Sequence, residues 1–454
     1  MGDGDLRSPP LQTLPVKNPP RSAWSRSLGL AKLAARVAGE ELLGQVVSRV
    51  DQVKTRIEQT RLLVEELGRL KGAALKAGQF LTLELREHLP PEANLILQRL
   101  QDAVTPVSYA EIDRILQREL EPEIRKRIES LSETAIAAAS IGQVHSARLR
   151  FQDGTSTDGV LKIQYDGIRD SIESDLTVLR RISSVMMALA GKKGDLEPLF
   201  REVQTVLISE TDYLLEAKNL ELYRERISKR PDLASRVRLP KLHPEFSTSK
   251  VIALEHMRGV SLEAWIRSQP SSEHRQRIGD LLLELHWAEF ADWGFVQTDP
   301  NPGNFMIAEE NGEPYLILLD FGSMKQFSNE FRRDYFSLLQ LTVHGTEQEF
   351  VEGFIRMGML DAKEDAETRE AFAALIRHSM SLFDPDRQPV DFTEPEYMKQ
   401  SKDLAFAFMR KVKHSAPPES LLFLNRKISG LYRLLGMLEV RKDLQEYVDR
   451  VSQI

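Results

Sequence analysis

Asp320-Phe321-Gly322 follows the apolar run Leu316-Ile317-Leu318-Leu319, so a carboxylate stands where a buried strand ends and a glycine lets the chain turn. A carboxylate in that setting can hold a metal ion against phosphates. Sixteen residues earlier stands Asn304, the last residue of Asp299-Pro300-Asn301-Pro302-Gly303-Asn304. Carboxylate and amide oxygens are hard ligands of the kind magnesium takes, so Asn304 and Asp320 are candidate metal ligands on either side of one strand. Further upstream, Lys162 lies in Val160-Leu161-Lys162-Ile163-Gln164 with apolar neighbours. Taken singly, these segments have plainer readings: a proline-rich surface turn, and a lysine at an exposed strand edge. Two spaced motifs flanking one strand weigh against the first.

The five-residue step from Asp299 to Asn304 is the spacing of a protein-kinase catalytic loop, where the Asp accepts the substrate proton and the Asn helps hold a second magnesium. A kinase-like fold also gives Lys162 a use, pointing at the α- and β-phosphates and pairing with a glutamate from a following helix. Glu216, in Glu210-Thr211-Asp212-Tyr213-Leu214-Leu215-Glu216, is the best partner, although these acids would equally suit a solvated helical face. Ahead of Lys162 a kinase carries a glycine-rich loop; here stand Ala137-Ala138-Ala139-Ser140-Ile141-Gly142. Small residues still let the backbone approach phosphates, but alanine resists positive φ, so the loop is expected to be stiffer. Val251-Ile252-Ala253-Leu254-Glu255-His256-Met257 fits an adenine hinge, with backbone groups around Glu255 and Met257 as hydrogen-bonding partners and no catalytic role for His256.

The elements that must position these residues follow from pattern. Residues 1 to about 22 are proline-rich and read as an extended, disordered arm. From about Ser27 to Glu87 apolar residues recur at helical steps. Within that stretch and just before it, Arg21, Arg26, Lys32 and Arg36 meet only Glu40 and Glu41, which fits either a helix on an anionic membrane surface or one packed on the domain behind it. Asp153-Gly154 marks a turn between β-prone runs at Gln143–Arg150 and Val160–Tyr165. Residues 170–190 and 196–227 read as helices, Arg238–Glu255 as short strands broken by Pro240 and Pro244, and residues 273–293 as a long amphipathic helix. Tyr315–Leu319 reads as a buried strand, and everything after about Ser328 as helical apart from a loop at Asp384–Glu396. The class is α+β, with strands confined to the middle.

Composition narrows the function. The 454 residues are 41% hydrophobic and 28% charged, which is ordinary for globular proteins. There is no cysteine, which excludes disulfides and thiolate metal sites. The net charge of −7 and the absence of a long basic block speak against nucleic acid as a partner. No stretch approaches the roughly 18 apolar residues of a membrane span, and the N-terminus has no secretory core. The expected location is cytoplasmic, with peripheral membrane contact at most.

Ala137 to His145, the Glu210-x-Asp212 pair and Gln297-Thr298-Asp299-Pro300-Asn301 together resemble the UbiB/AarF/ADCK family of atypical kinases. The family's distinguishing Lys-x-Gly-Gln stands here as Lys76-Ala77-Gly78-Gln79, and Leu97-Gln98-Arg99-Leu100-Gln101-Asp102 also matches. The resemblance covers roughly residues 60 to 440. It implies a bilobal protein-kinase-like fold with a small β-containing N-lobe, a helical C-lobe and a family-specific N-terminal helical extension. The expected division is an arm at 1–26, the extension at 27–130, an N-lobe with a helical insertion at 131–257, and the C-lobe at 258–454. It further implies that the extension folds over the cleft, with Lys76 and Gln79 facing Glu210 and Asp212 as a regulatory contact. Lys162, Glu216 and Asp299 become catalytic; Ala137, Ala138, Ala139, Ser140, Lys162, Glu255 and Met257 bind nucleotide; Asn304 and Asp320 bind Mg2+. ATP or ADP is the implied ligand. Anionic membrane lipids and quinone-biosynthesis proteins are the implied partners, and support of ubiquinone biosynthesis is the implied role.

No Ala-Pro-Glu follows Asp320, which counts against a conventional protein kinase. The interval from Lys162 to Glu216 is long for a kinase, so an inserted helix near 170–190 is expected. A nucleotide-sensing scaffold without turnover is the competing reading. The intact Asp299 weighs against it and the restraining Lys76 segment weighs for it.

Overall fold

The computed structural model describes residues 107–138, 141–189, 197–415, 418–451 and 453. The expected arm, the extension up to residue 106, the Lys76-Ala77-Gly78-Gln79 segment and the basic residues near the N-terminus lie outside them. Packing divides the chain into residues 1–104 with 173–182, and residues 105–172 with 183–454. The description below is of the second unit.

A helix and an antiparallel sheet begin it. Helix α1 (Tyr109–Glu119) is capped by the Ser108 side chain and buries Ile112, Ile115 and Leu116. Strands β1 (Ile128–Leu131), β2 (Ala137–Ala138), β3 (Gly142–Arg150), β4 (Ser156–Gln164) and, after the inserted helices, β6 (Val251–Glu255) form one sheet in the order β1-β3-β4-β6, with β2 beside β3. The β3–β4 hairpin turns where expected, at Asp153-Gly154. Gly154 takes a φ of +84°, and the Asp153 carboxylate accepts from the Thr155 N–H at 2.9 Å. Leu149, Leu161, Ile163, Phe246 and Val251 pack with α1 in one cluster. Burying each such side chain contributes about 1.5–3 kcal/mol. Helix α1 packs on this sheet, within the stretch 27–130 that the sequence division gives to the extension.

The insertion consists of α2 (Ile168–Leu189) and α3 (Glu197–Glu210), followed by α4 (Tyr213–Ser228). The sequence pattern suggested one helix over 196–227. Instead the chain breaks at Thr211-Asp212, because the Asp212 carboxylate accepts the Leu215 N–H at 3.0 Å and starts a new helix. Helix α4 lies in the main core, where Tyr213, Leu220 and Tyr223 share a cluster with Leu285, Phe321 and Leu431.

The C-terminal lobe is not purely helical. Strands β5 (Val237–Arg238), β7 (Val260–Ser261), β9 (Phe305–Glu310) and β10 (Glu313–Leu318) form a sheet in the order β5-β10-β9-β7. Asn311 and Gly312, with φ of +54° and +80°, close the β9–β10 hairpin, the backbone that an Asn-Gly pair favours. Strands β8 (Phe295–Gln297) and β11 (Met324–Gln326) pair separately. Helix α5 (Ser272–Trp287) runs on into a wider π-turn over Ala288–Trp293, which ends at Gly294 with a φ of +59°. Helices α6 (Asn329–His344), α7 (Glu347–Arg356), α8 (Ala366–Met380), α9 (Pro395–Lys411), α10 (Glu419–Met437) and α11 (Gln445–Val451) complete the lobe. One short ladder corrects the all-helical expectation after Ser328: Val390–Asp391 pairs with Arg441–Lys442. Two-residue strands carry too little periodicity to be read from sequence.

Candidate active site

Strand alternation sets Lys162. Leu161 and Ile163 point into the cluster under α1, so Lys162 between them faces the other side of β4. Its Nζ donates to both Glu216 carboxylate oxygens, at 2.8 and 2.9 Å, and stands 3.7 Å from Asp320 Oδ2. The ammonium also sits 5.2 Å from the centre of the Tyr213 ring. Glu216 reaches Lys162 because the break at Asp212 puts it on the first turn of α4.

Two short ladders carry the rest. β9 follows Asn304 and β10 precedes Asp320, and their register pairs Phe305 with Leu318. The Leu319 N–H donates to the Asn304 carbonyl at 3.1 Å, so both candidate metal ligands emerge at one end of one hairpin. β8 leads into Asp299 and β11 leads away from Gly322, and they pair at Gln297 and Met324. Thr298 locks this junction: its N–H and Oγ1 donate to the Ser323 carbonyl at 2.8 and 2.9 Å. Helix α4 holds the same segment from above, with Asn219 Nδ2 donating to the Phe321 carbonyl at 3.0 Å and Tyr223 packed on the Phe321 ring.

Asp299 is ion-paired. Arg426 Nη2 donates to its Oδ1 at 2.8 Å, and Asn304 Nδ2 donates to its Oδ2 at 3.2 Å and to its carbonyl at 3.0 Å. Gln297 Nε2 also donates to that carbonyl, at 2.7 Å. The Asn304 amide nitrogen is thereby committed to Asp299. Asp320 Oδ1 accepts the Gly322 N–H at 2.8 Å. Asn304 and Asp320 line one cavity with Gln297, Glu289 and Lys427.

Several carboxylates gather around Lys162. Glu210 and Glu216 are buried and Asp320 is partly so; Lys162 pairs with Glu216 and stands 3.7 Å from Asp320. The Glu216 carboxyl is pushed up to about 7, first by burial, with Asp320 and Glu210 adding and Lys162 opposing. Burial alone would depress Lys162, but Asp320 and Glu216 overcome it and hold the ammonium well above its ordinary range. The Asp320 carboxylate and the Asn304 amide line one cavity, and hard oxygen donors of these two kinds are the kind magnesium takes.

Other expected positions fall as follows. Ala137 and Ala138 pair with Val144 and Gln143 as β2, which leads into the expected phosphate loop; Ala139 and Ser140 lie outside the described residues. The Glu255 N–H donates to the Lys241 carbonyl at 2.8 Å, and its carboxylate accepts from the Lys241 N–H at 3.1 Å. Met257 follows two residues after β6 ends at Glu255. Glu210 accepts from Ser323 Oγ at 3.3 Å, while Asp212 caps α4. Lys76 and Gln79 lie outside the described residues.

Sequence reasoning missed what α10 contributes. Arg426 pairs with Asp299, and the next residue, Lys427, is buried against Glu289 at 2.8 Å. One turn on, Gly430 gives Pro300 its seat: a Cβ there would lie 2.0 Å from Pro300 Cγ. Nothing in local spacing links residues 127 positions apart, as Asp299 and Arg426 are.

The family model described as "ABC1 atypical kinase-like domain" matches residues 99–353. The chain is 28% identical over 391 residues to the probable serine/threonine-protein kinase abkA of Dictyostelium discoideum, covering 83% of this chain and 67% of that protein. It is 28% identical over 379 residues to the mitochondrial atypical kinase coq-8 of Caenorhabditis elegans, where the match covers 83% of this chain and 48% of that protein. It is 27% identical over 438 residues to the mitochondrial atypical kinase COQ8 of Saccharomyces cerevisiae, covering 94% of this chain and 84% of that one. The Mycobacterium tuberculosis protein Rv3197, solved with erythromycin, aligns with a TM-score of 0.57 at 24% identity over 88% of this chain and 98% of that one, a likeness of fold. The family match takes in more than half of the chain and every residue from Lys162 to Asp320. With its two lobes joined around these residues, the chain has the kinase-like α+β fold and belongs to the ABC1 atypical kinase-like family, the UbiB/AarF/ADCK-type kinases to which its motifs pointed.

Proposed function

We propose that this chain is an ATP- and magnesium-dependent atypical kinase or ATPase that supports ubiquinone biosynthesis at a membrane surface. The observation that carries the catalytic part is the Lys162–Glu216 pair, bidentate at 2.8 and 2.9 Å with Asp320 3.7 Å from the same ammonium. In this reading Glu216 orients Lys162 toward the phosphates, and Asn304 and Asp320 are the metal ligands. Bound magnesium would supply neutralisation of phosphate charge. Asp299 positions the nucleophile and accepts its proton, held in place by Arg426 and Asn304. Ala137, Ala138, Ala139 and Ser140 approach the phosphates, and the Glu255 carbonyl and Met257 take the adenine edge.

The quinone and membrane parts rest on the similarity to the mitochondrial COQ8 kinases and on the resemblance of the motifs. No described helix is long and apolar enough to cross a membrane. The test is quinone content in cells lacking their own COQ8-type kinase. The wild-type chain restores it and D320N does not; equal rescue by both, or by neither, refutes the assignment. One observation favours a nucleotide-sensing scaffold instead: Arg426 engages Asp299 directly, so the carboxylate must share its charge before it can act as a base. Nucleotide binding without turnover is the result that reading requires.

A further inference from the structure

Tyr213 is the first residue of α4, between the capping Asp212 and the Lys162 partner Glu216. It is 1% exposed. The Lys162 ammonium sits over its ring, 5.2 Å from the centroid. Its hydroxyl is buried with no hydrogen-bond partner among the described residues. The direction of that hydroxyl can be read from Gly142, where a Cβ would lie 2.9 Å from the Tyr213 oxygen. The O–H therefore faces the base of the β2–β3 turn, where the alanine-rich segment returns to the sheet. A buried hydroxyl without a partner is destabilising, and such groups cluster where a ligand later satisfies them.

We propose that the Tyr213 hydroxyl is a phosphate-binding donor, recognising the phosphate chain of a nucleoside di- or triphosphate together with Lys162. The ring and the hydroxyl then have separate duties. The ring face holds the ammonium, and the O–H supplies a second donor on the side of the alanine-rich turn. A phosphate oxygen would accept from this hydroxyl and meet the Lys162 ammonium at the same time. Burial, against the opposing pull of Lys162, holds the phenol well above its ordinary range, so it stays a donor at any physiological pH. This inference rests on the nucleotide reading above and adds a residue to it.

The experiment is calorimetric titration of the full chain and of Y213F with ADP, ATP and adenosine, each in magnesium, with thermal melting of the ligand-free proteins. Phenylalanine keeps the ring and removes only the orphaned hydroxyl. The expected result is an affinity for ADP and ATP about tenfold weaker in Y213F, from loss of one hydrogen bond to a charged group. Adenosine binding stays equal in the two proteins, and the ligand-free melting temperature is unchanged or higher. Equal ADP affinity in both proteins overturns the Tyr213 assignment while leaving the nucleotide site standing. A Y213F chain that also melts lower without ligand overturns it too, because the hydroxyl then has a structural partner. Failure of the wild-type chain to bind any of the three overturns the nucleotide reading itself.

Discussion

Replacing Gly430 with alanine sets two effects of opposite sign against each other. Gly430 lies inside α10, where alanine is normally better than glycine by roughly 1 kcal/mol. Here the new methyl would meet Pro300 Cγ at 2.0 Å and Cβ at 2.5 Å. Carbon atoms in contact sit about 3.5–4.0 Å apart, so loop or helix must retreat by roughly 1.5 Å. Overpacking of that kind costs about 1–3 kcal/mol, which cancels or exceeds the helix gain. The retreat has a direction. Arg426 is one turn before Gly430 on the same face of α10, and it holds Asp299, the residue before Pro300, at 2.8 Å. Pushing Pro300 away stretches that contact and displaces Asp299 from Asn304. A misplacement of about 1 Å in a catalytic group lowers turnover on the order of 10²-fold. The assay pairs thermal melting with phosphate release from ATP. G430A is expected to melt no higher than wild type and to lose most turnover while still binding nucleotide. A G430A chain that melts higher and turns over normally would refute the idea that α10 seats the catalytic loop.

E216Q keeps the shape of the Lys162 partner and removes its charge; turnover is expected to fall by about 10²-fold in phosphate-release assays, and full activity would disconnect the pair from catalysis. His286 gives a pH signature. Burial first, and then Lys427, hold its imidazole down to about 3, against an ordinary value near 6.5. The unfolded chain therefore binds a proton that the folded chain refuses between those values. The stability contributed by neutral His286 is complete above about pH 6.5 and is lost as pH falls toward 3. H286Q should flatten that part of the melting-temperature profile relative to wild type, and parallel profiles would show that the residue does not titrate this way.

The candidate site was largely legible because its parts sit at strand ends with short-range signatures. The strand pattern alone reads Lys162 as an exposed edge residue; its place between the buried Leu161 and Ile163 turns it to the other face of β4, where Glu216 meets it. Asp320 reads as terminal because four apolar residues precede it. Glu216 could be named as the partner, but the helix break that delivers it depends on one Asp212 side chain competing for backbone N–H groups, and the helical pattern runs through that point unbroken. Of the β9–β10 hairpin only the apolar run Tyr315–Leu319 reads as a strand, although Asn311-Gly312 is a pair that favours its turn. The apolar stripe of α1 announces burial without naming the surface it meets, which in the fold is the β1–β3–β4–β6 sheet. Arg426, Lys427 and Gly430 carry no sequence signal for the same reason: a helix pattern shows which face is buried, whereas the seating of Asp299-Pro300 on that face arises only once the chain has closed.

The most direct measurement is phosphate release from ATP by the purified chain, with and without magnesium and anionic liposomes, beside D320N. Asp320 stands 3.7 Å from Lys162 and lines one cavity with Asn304, and the proposed function makes its carboxylate a magnesium ligand. The account predicts magnesium-dependent release, raised by the liposomes and lowered on the order of 10²-fold or more in D320N. Release that ignores magnesium, or that D320N retains in full, would contradict it.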